Sequence, residues 1–266
     1  MLRYMAIGDV TSAKAAQALA RALWDIRKQY RIDFVAVNAE NAGFIVGPSR
    51  ETADLLLSGG ADVLTGGNHT LQNTSLHTAL ENDTRLLRPA NYPDTAPGQG
   101  YTILDAKGYR VLVANFLGRV HMDPPLDSPF AAADRILARE EGRYDFAFFD
   151  LHAEATGEKT AFAAYLDGRV TAIYGTHTHV PTADTCVLQG CTGYVTDLGM
   201  CGADGGILGI SKETVLDRYL SGLPTRFAPA EGDFYADAVI FSVNESAGRT
   251  TSVERVRIPL STQGIK

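Results

Sequence analysis

Apolar positions along the chain follow two rhythms. Strand-length apolar runs occur at LRYMAIGDV, DFVAVNAEN and ADVLTGGNHT, each ending on glycine, asparagine or aspartate. Between them lie stretches with the three-to-four-residue spacing of amphipathic helices. TSAKAAQALARALWDIRKQY opens with the N-cap candidates Thr11 and Ser12, and SRETADLLLSGG closes on Gly59 and Gly60. A polar helix is predicted around LHTALEND. This βαβαβ order predicts a largely parallel sheet with helices on both faces.

The second half reads as strands: YRVLVANFLG, YDFAFFDLH, VTAIYGTHTH, TGYVTDLGM, DAVIFSV and SVERVRIPL. The turn signal NESAGR separates the last two and predicts an antiparallel pair. Two proline-rich loops, RPANYPDTAPGQG and MDPPLDSPF, are too short to be interdomain linkers, and no repeat interrupts the pattern. The expected architecture is one α/β domain over residues 1–266, with two packed sheets or one large mixed sheet.

Composition narrows the function. Hydrophobic residues make up 45% and charged residues 21%, which excludes disordered, collagen-like and coiled-coil chains. The balance of 24 Lys+Arg against 31 Asp+Glu gives −7, and no stretch concentrates the basic residues. Strong nucleic-acid binding through a Lys/Arg footprint is therefore not expected, and an anionic substrate must be neutralised by something else. The N-terminus is apolar for only a few residues before a Gly-Asp turn, unlike a signal peptide or membrane span. Cys186, Cys191 and Cys201 are odd in number and lack CxxC spacing. They are read as reduced packing thiols of a cytoplasmic protein, a Cys186–Cys191 hairpin bridge being the alternative. The fingerprints GxGxxG, GxxxxGK[ST] and GxSxG are missing. The glycine-rich LGMCGADGGILGI is either a tight connection or a backbone approach to a ligand.

The distribution of chemistry-bearing residues is more informative. Asp9 ends the first strand, Glu40 and Asn41 the second, and Asn68 and His69 the third; Asp150 and His152 end YDFAFFD, and His177 and His179 end VTAIYG. In open α/β sheets the crevice beyond the carboxyl ends of strands is the ligand site. A lone strand-end Asp is ordinary turn or cap chemistry, but five strand ends supplying Asp, Glu, Asn or His form a pattern. His77 and His121 lack such support. An extended Thr-His-Thr-His would point His177 and His179 to one side. Mixed imidazole, carboxylate and amide donors suit Zn, Mn, Fe or Co better than Ca or Mg. The candidates outnumber the ligands of one tetrahedral ion, so two ions sharing a carboxylate is the economical reading. Two divalent ions bring +4 and Asp9 with Glu40 remove two charges, which makes the pocket attractive to phosphate.

These residues resemble the calcineurin-like metallophosphoesterase superfamily, and NAENA, GGNHT, RPANYP, the PPLDSPF loop, FFDLHAEATGEK, GTHTHVPTAD and TDLGMCGADGGILG resemble its bacterial YmdB-like branch in the same order. The resemblance implies a four-layer αββα sandwich with mixed sheets. It implies one metal on Asp9, Glu40, Asn41 and His179, a second on Glu40, Asn68, His152 and His177, with Glu40 bridging, and His69 as the catalytic histidine. Val10 and Thr11 follow Asp9 where the superfamily has Asp-x-His, and Asn41 fills that ligand's place; Glu40 stands where an Asp commonly bridges. The implied activity opens 2′,3′-cyclic nucleotides by hydroxide attack on phosphorus, with iron or manganese, or else zinc, in a homo-oligomer. Phosphomonoester hydrolysis at the same site and metal- and nucleotide-dependent regulation are the alternatives.

Overall fold

The computed structural model describes residues 1–260. The first part of the chain forms β1 (Leu2–Ile7), β2 (Asp9–Val10), α1 (Ala13–Tyr30), β3 (Phe34–Asn38), α2 (Arg50–Gly59), β4 (Val63–Thr65) and α3 (His77–Asn82). The middle adds β5 (Tyr101–Ala106), β6 (Tyr109–Leu117), α4 (Pro129–Arg139), β7 (Phe146–His152), α5 (Thr156–Leu166) and β8 (Ala172–Thr176). Then follow β9 (Cys186–Val187), β10 (Gly193–Val195), β11 (Met200–Ala203), β12 (Gly206–Ile207), β13 (Ile210–Ser211), α6 (Lys212–Ser221), β14 (Phe234–Asn244) and β15 (Arg249–Leu260).

Two mixed sheets result. In the first, β4, β3 and β1 run parallel, and β1 pairs antiparallel with β14, which pairs in turn with β15. The second has the order β5-β6-β7-β8-β10-β9, with β6, β7, β8 and β10 parallel. Period-two alternation decides what each face meets. Leu2, Tyr4 and Ala6 of β1 point at the second sheet, while Met5 and Ile7 point at the helices α1 and α2. Phe146 and Phe148 of β7 face the first sheet, while Ala147, Phe149 and Leu151 face α4 and α5. Three apolar layers thus separate four structural layers, the αββα sandwich. At its centre the Tyr4 ring stacks on Phe148 with centroids 3.7 Å apart, and its hydroxyl bonds to that of Tyr174 at 3.0 Å.

The expectation of helices on both faces of the first sheet is corrected: the second sheet covers one face, because the inward residues of both sheets are aromatic and aliphatic alike. LRYMAIGDV breaks at Gly8, where a Cβ would lie 2.1 Å from the Gly199 carbonyl oxygen; β11 enters there beside β2. TGYVTDLGM is not one strand either, since β10 lies in the second sheet and β11 in the first, so its central turn crosses the sandwich. Helices α4, α5 and α6 are additions to the pattern expected from sequence. The signal for α4 is the proline-rich loop itself, where Ser128 caps the helix and Pro129 occupies its first turn. For α1 the capping residue is Ser12, which accepts from the Ala15 N–H, and Thr11 is left for another role. Among the described residues no helix is long and apolar enough to cross a membrane.

Candidate metal centre

Parallel pairing brings the strand ends together. Asp9 is fully buried in β2, Glu40 and Asn41 follow β3, Asn68 and His69 follow β4, His152 ends β7, and His177 and His179 follow β8. Gly67 makes room for this convergence, since a Cβ there would lie 2.4 Å from the His152 ring. His152 Nε2 is 3.0 Å from Asn68 Oδ1, 3.1 Å from His177 Nδ1 and 3.8 Å from Glu40 Oε1. His179 Nε2 is 3.1 Å from the Asn41 amide and 3.8 Å from Asp9 Oδ1. One donor atom each from Asp9, Glu40 and His152 lie within 4.8 Å of one another.

The donor set fits a cation. Asp9 Oδ1 and Glu40 Oε1 are buried with no hydrogen-bond partner. Such oxygens are costly unless a positive charge faces them. Burial and the neighbouring Glu40 charge push the Asp9 carboxyl well above the usual range, an unfavourable field that a bound cation relieves. Burial and the proximity of His177 push His152 well down, which keeps it in the neutral, ligating form.

Asp150, expected at the same edge, lies one layer beneath. Its carboxylate accepts hydrogen bonds from Thr65 Oγ1, Thr176 Oγ1 and Asn38 Nδ2. Burial raises its pKa to about 6, against the lowering effect of those bonds. With its proton directed to Asp150, Thr176 Oγ1 accepts from His152 Nδ1–H at 3.0 Å, which reserves Nε2 as a lone-pair donor. His77 binds the Leu71 carbonyl at 3.0 Å and His121 is exposed; neither reaches the site.

The extended reading of Thr-His-Thr-His is overturned. β8 stops at Thr176, and His177 and His179 have φ of 101° and 62°. The loop is held from beneath by Lys159, whose Nζ donates to Thr176 O at 2.8 Å and to Asp197 Oδ2 at 2.7 Å. Asp197 Oδ2 also accepts from Thr178 N–H, and Asp9 Oδ2 accepts from His177 N–H. Lys159 and Asp197 are each only 1% exposed. Sequence reasoning missed both, although they stand in the segments FFDLHAEATGEK and TDLGM. It also missed Glu154, whose Oε2 is 3.0 Å from His177 Nε2.

His69 stands beside the cluster, its Nδ1 3.0 Å from Glu40 Oε2 and 3.1 Å from Asn41 Oδ1. Burial lowers its pKa, but the hydrogen bond and charge of Glu40 outweigh that effect and raise it. Above these residues opens a cavity of about 350 Å³, lined also by Thr11, Phe44, Ile45, Glu154, Leu208, Gly209, Ile210 and Phe227. The glycine-rich segment therefore both connects and reaches the cavity, through Leu208 to Ile210. Five of the nine non-glycine residues with positive φ among those described line it: Phe44, Ile45, His177, His179 and Leu208. Each costs about 1–3 kcal/mol, strain that characteristically gathers at ligand sites. Cys201 packs in the core beneath, whereas Cys186 is exposed, contrary to its expected packing role.

Solved structures share the fold. The calcineurin-like phosphoesterase YfkN of Bacillus subtilis matches with a TM-score of 0.60 over 99% of this chain and 91% of its own, at 11% identity, a likeness of fold alone. The narrower grouping comes from sequence, where the model of the YmdB-like protein family matches residues 5–256. The chain belongs to the YmdB-like family. It is 38% identical over 257 residues to the 2′,3′-cyclic-nucleotide 2′-phosphodiesterase of Bacillus subtilis, with 97% of each chain covered. A crystallised hypothetical protein from Thermus thermophilus superposes with a TM-score of 0.90 at 39% identity, over 98% of this chain and 100% of that one.

Proposed function

We propose that the chain is a phosphodiesterase of 2′,3′-cyclic nucleotides that works with two divalent metal ions, iron or manganese, held by Asp9, Glu40, Asn41, Asn68, His152, His177 and His179. The observation that carries this reading is the pair of buried, partnerless oxygens, Asp9 Oδ1 and Glu40 Oε1, facing imidazole nitrogens at the floor of an open cavity. The activity named for the Bacillus subtilis relative supports the substrate class. Ions bound here would neutralise charge on the phosphoryl oxygens and lower the pKa of an attacking water.

The chain's own residues orient and protonate. Asp150 acts through Thr176 to fix the His152 tautomer. With Nδ1 of His69 engaged by Glu40 and Asn41, its Nε2 serves as proton donor to the leaving ribose oxygen. Among the described residues no Lys or Arg lines the cavity and the Glu154 carboxylate stands at its wall, so bound ions would supply the positive charge that meets the substrate phosphate. The setting that goes with this reading is the cytoplasm, with reduced thiols and a homo-oligomeric assembly.

Elemental analysis of freshly purified protein, coupled to turnover of 2′,3′-cyclic AMP, tests the reading. The expected result is close to two ions per chain and many turnovers. Near-zero metal, with no activity after manganese or iron is added, removes it. His69→Ala should keep the metal and lose about 10²–10⁴-fold in kcat. Full activity in that variant takes His69 out of the mechanism.

A further inference from the structure

Besides the donor residues, the same cavity has an apolar lining. Phe44, Ile45, Leu208, Ile210 and Phe227 form a wall of apolar side chains that comes from three separate segments of the chain. None of these side chains belongs to the buried core, and all are at least partly exposed. Three of them, Phe44, Ile45 and Leu208, hold φ of 63°, 61° and 54°. A β-branched residue such as Ile45 rarely takes that conformation, so the loop is kept in it by something other than local preference. The Phe227 ring has the Arg218 guanidinium 5.1 Å from its centroid. A preformed aromatic and aliphatic lining joined to a few phosphate-directed polar groups in one cavity is the usual composition of a small-molecule site.

We propose that this wall is a subsite for the planar, uncharged base of the substrate, with Phe44 and Phe227 as the residues that determine specificity. The inference rests on the phosphodiesterase reading and adds the part of the substrate that the donor cluster does not touch. Charge defines the occupant as much as shape does. Among the described residues no Lys or Arg lines the cavity and Glu40 and Glu154 are its carboxylates, with the Arg218 guanidinium engaged on Phe227, so the wall is not built to hold further phosphates. A flat aromatic group can cover Phe227 or Phe44 and remove their exposed apolar surface from water, whereas the aliphatic alcohol of a glycerol ester covers much less.

Two esters with the same five-membered cyclic phosphodiester separate base recognition from chemistry: 2′,3′-cyclic AMP and glycerol 1,2-cyclic phosphate. The holoenzyme should prefer the nucleotide in kcat/KM. Phe227→Ala and Phe44→Ala should lower kcat/KM for the nucleotide by about tenfold to a hundredfold, the effect of losing one base–aromatic contact, mostly through KM. The loss for the glycerol ester should be several-fold smaller. Leu208→Ser, at an exposed position, gives a milder change of the same kind and guards against loss of folding in the Phe variants. Calorimetric titration with adenosine, which carries no phosphate, should show saturable binding that both Phe variants weaken. Equal turnover of the two esters by the unaltered protein, equal losses for both in the variants, or no adenosine binding would overturn the subsite. Adenosine binding with neither ester hydrolysed would instead overturn the phosphodiesterase reading and leave the subsite standing.

Discussion

Lys159→Met should lower the unfolding free energy by about 3–5 kcal/mol, the cost of leaving one partner of a buried ion pair unpaired. Lys159 and Asp197 are buried together, closed off from the solvent that would otherwise stabilise the remaining carboxylate. Urea unfolding of the metal-free protein gives the number. The double variant Lys159→Met with Asp197→Leu should recover much of that stability, since no charge is then left behind. It should not recover metal affinity. Thr176 O loses its lysine in both variants and keeps only the 3.4 Å bond from the Ala153 N–H, and the Thr178 N–H loses Asp197 in the double one, so the backbone around His177 is released from its left-handed conformation. A single-variant loss under about 1 kcal/mol would show that the pair does not clamp the loop.

Glu40→Gln should act in opposite directions with and without metal. In the metal-free protein, Asp9 and Glu40 are two fully buried carboxylates with an oxygen each that bonds to nothing. Removing one of the charges should stabilise that form by about 1–3 kcal/mol. The Gln side chain still offers an oxygen to the His69 N–H, so the local loop keeps its hydrogen bond. Added manganese should raise the melting temperature of the unaltered protein, with about 2.7 kcal/mol gained at a hundredfold excess over Kd, and should leave Glu40→Gln unmoved. A Glu40→Gln protein that is less stable than the parent without metal, or equally responsive to metal, would contradict the placement of the cation at these oxygens.

Much of the donor cluster was legible because parallel strands announce their ends. An apolar run that stops on Asp, Glu-Asn or Asn-His identifies both the strand and the edge, and β1, β3, β4 and β7 each behave in this way. What could not be read is the direction of side chains once the chain leaves the strand. His177 and His179 are expected from sequence to converge by strand alternation; they converge because the backbone turns left-handed over Lys159. A lysine in a helix such as α5 ordinarily reads as solvated, and nothing near position 159 reveals that an aspartate thirty-eight residues later will bury it. Asp150 illustrates the converse. It carries the right chemistry at the right edge, but it is held inward by Thr65 and Thr176, while His152, two residues on and at the strand's end, reaches the cavity floor. Phe227 lies in a segment without any motif, and only the closed fold brings it to the same cavity as Phe44.

The pairing of β1 with β14 has a consequence for how the protein is made. Leu2 aligns with Val243 and Ile7 with Ala238, so one edge of the first strand waits for β14, more than two hundred residues later. At roughly 5–20 residues per second of synthesis, that edge stays open for about 10–50 s after it emerges. Sheets closed by such distant segments fold slowly, and the open edge is exposed to unwanted pairing while it waits. Metal binding at Asp9 is then expected only once β14 is in place: nascent chains arrested before residue 234 should retain no manganese, and retention by them would show that Asp9 is positioned without its antiparallel neighbour.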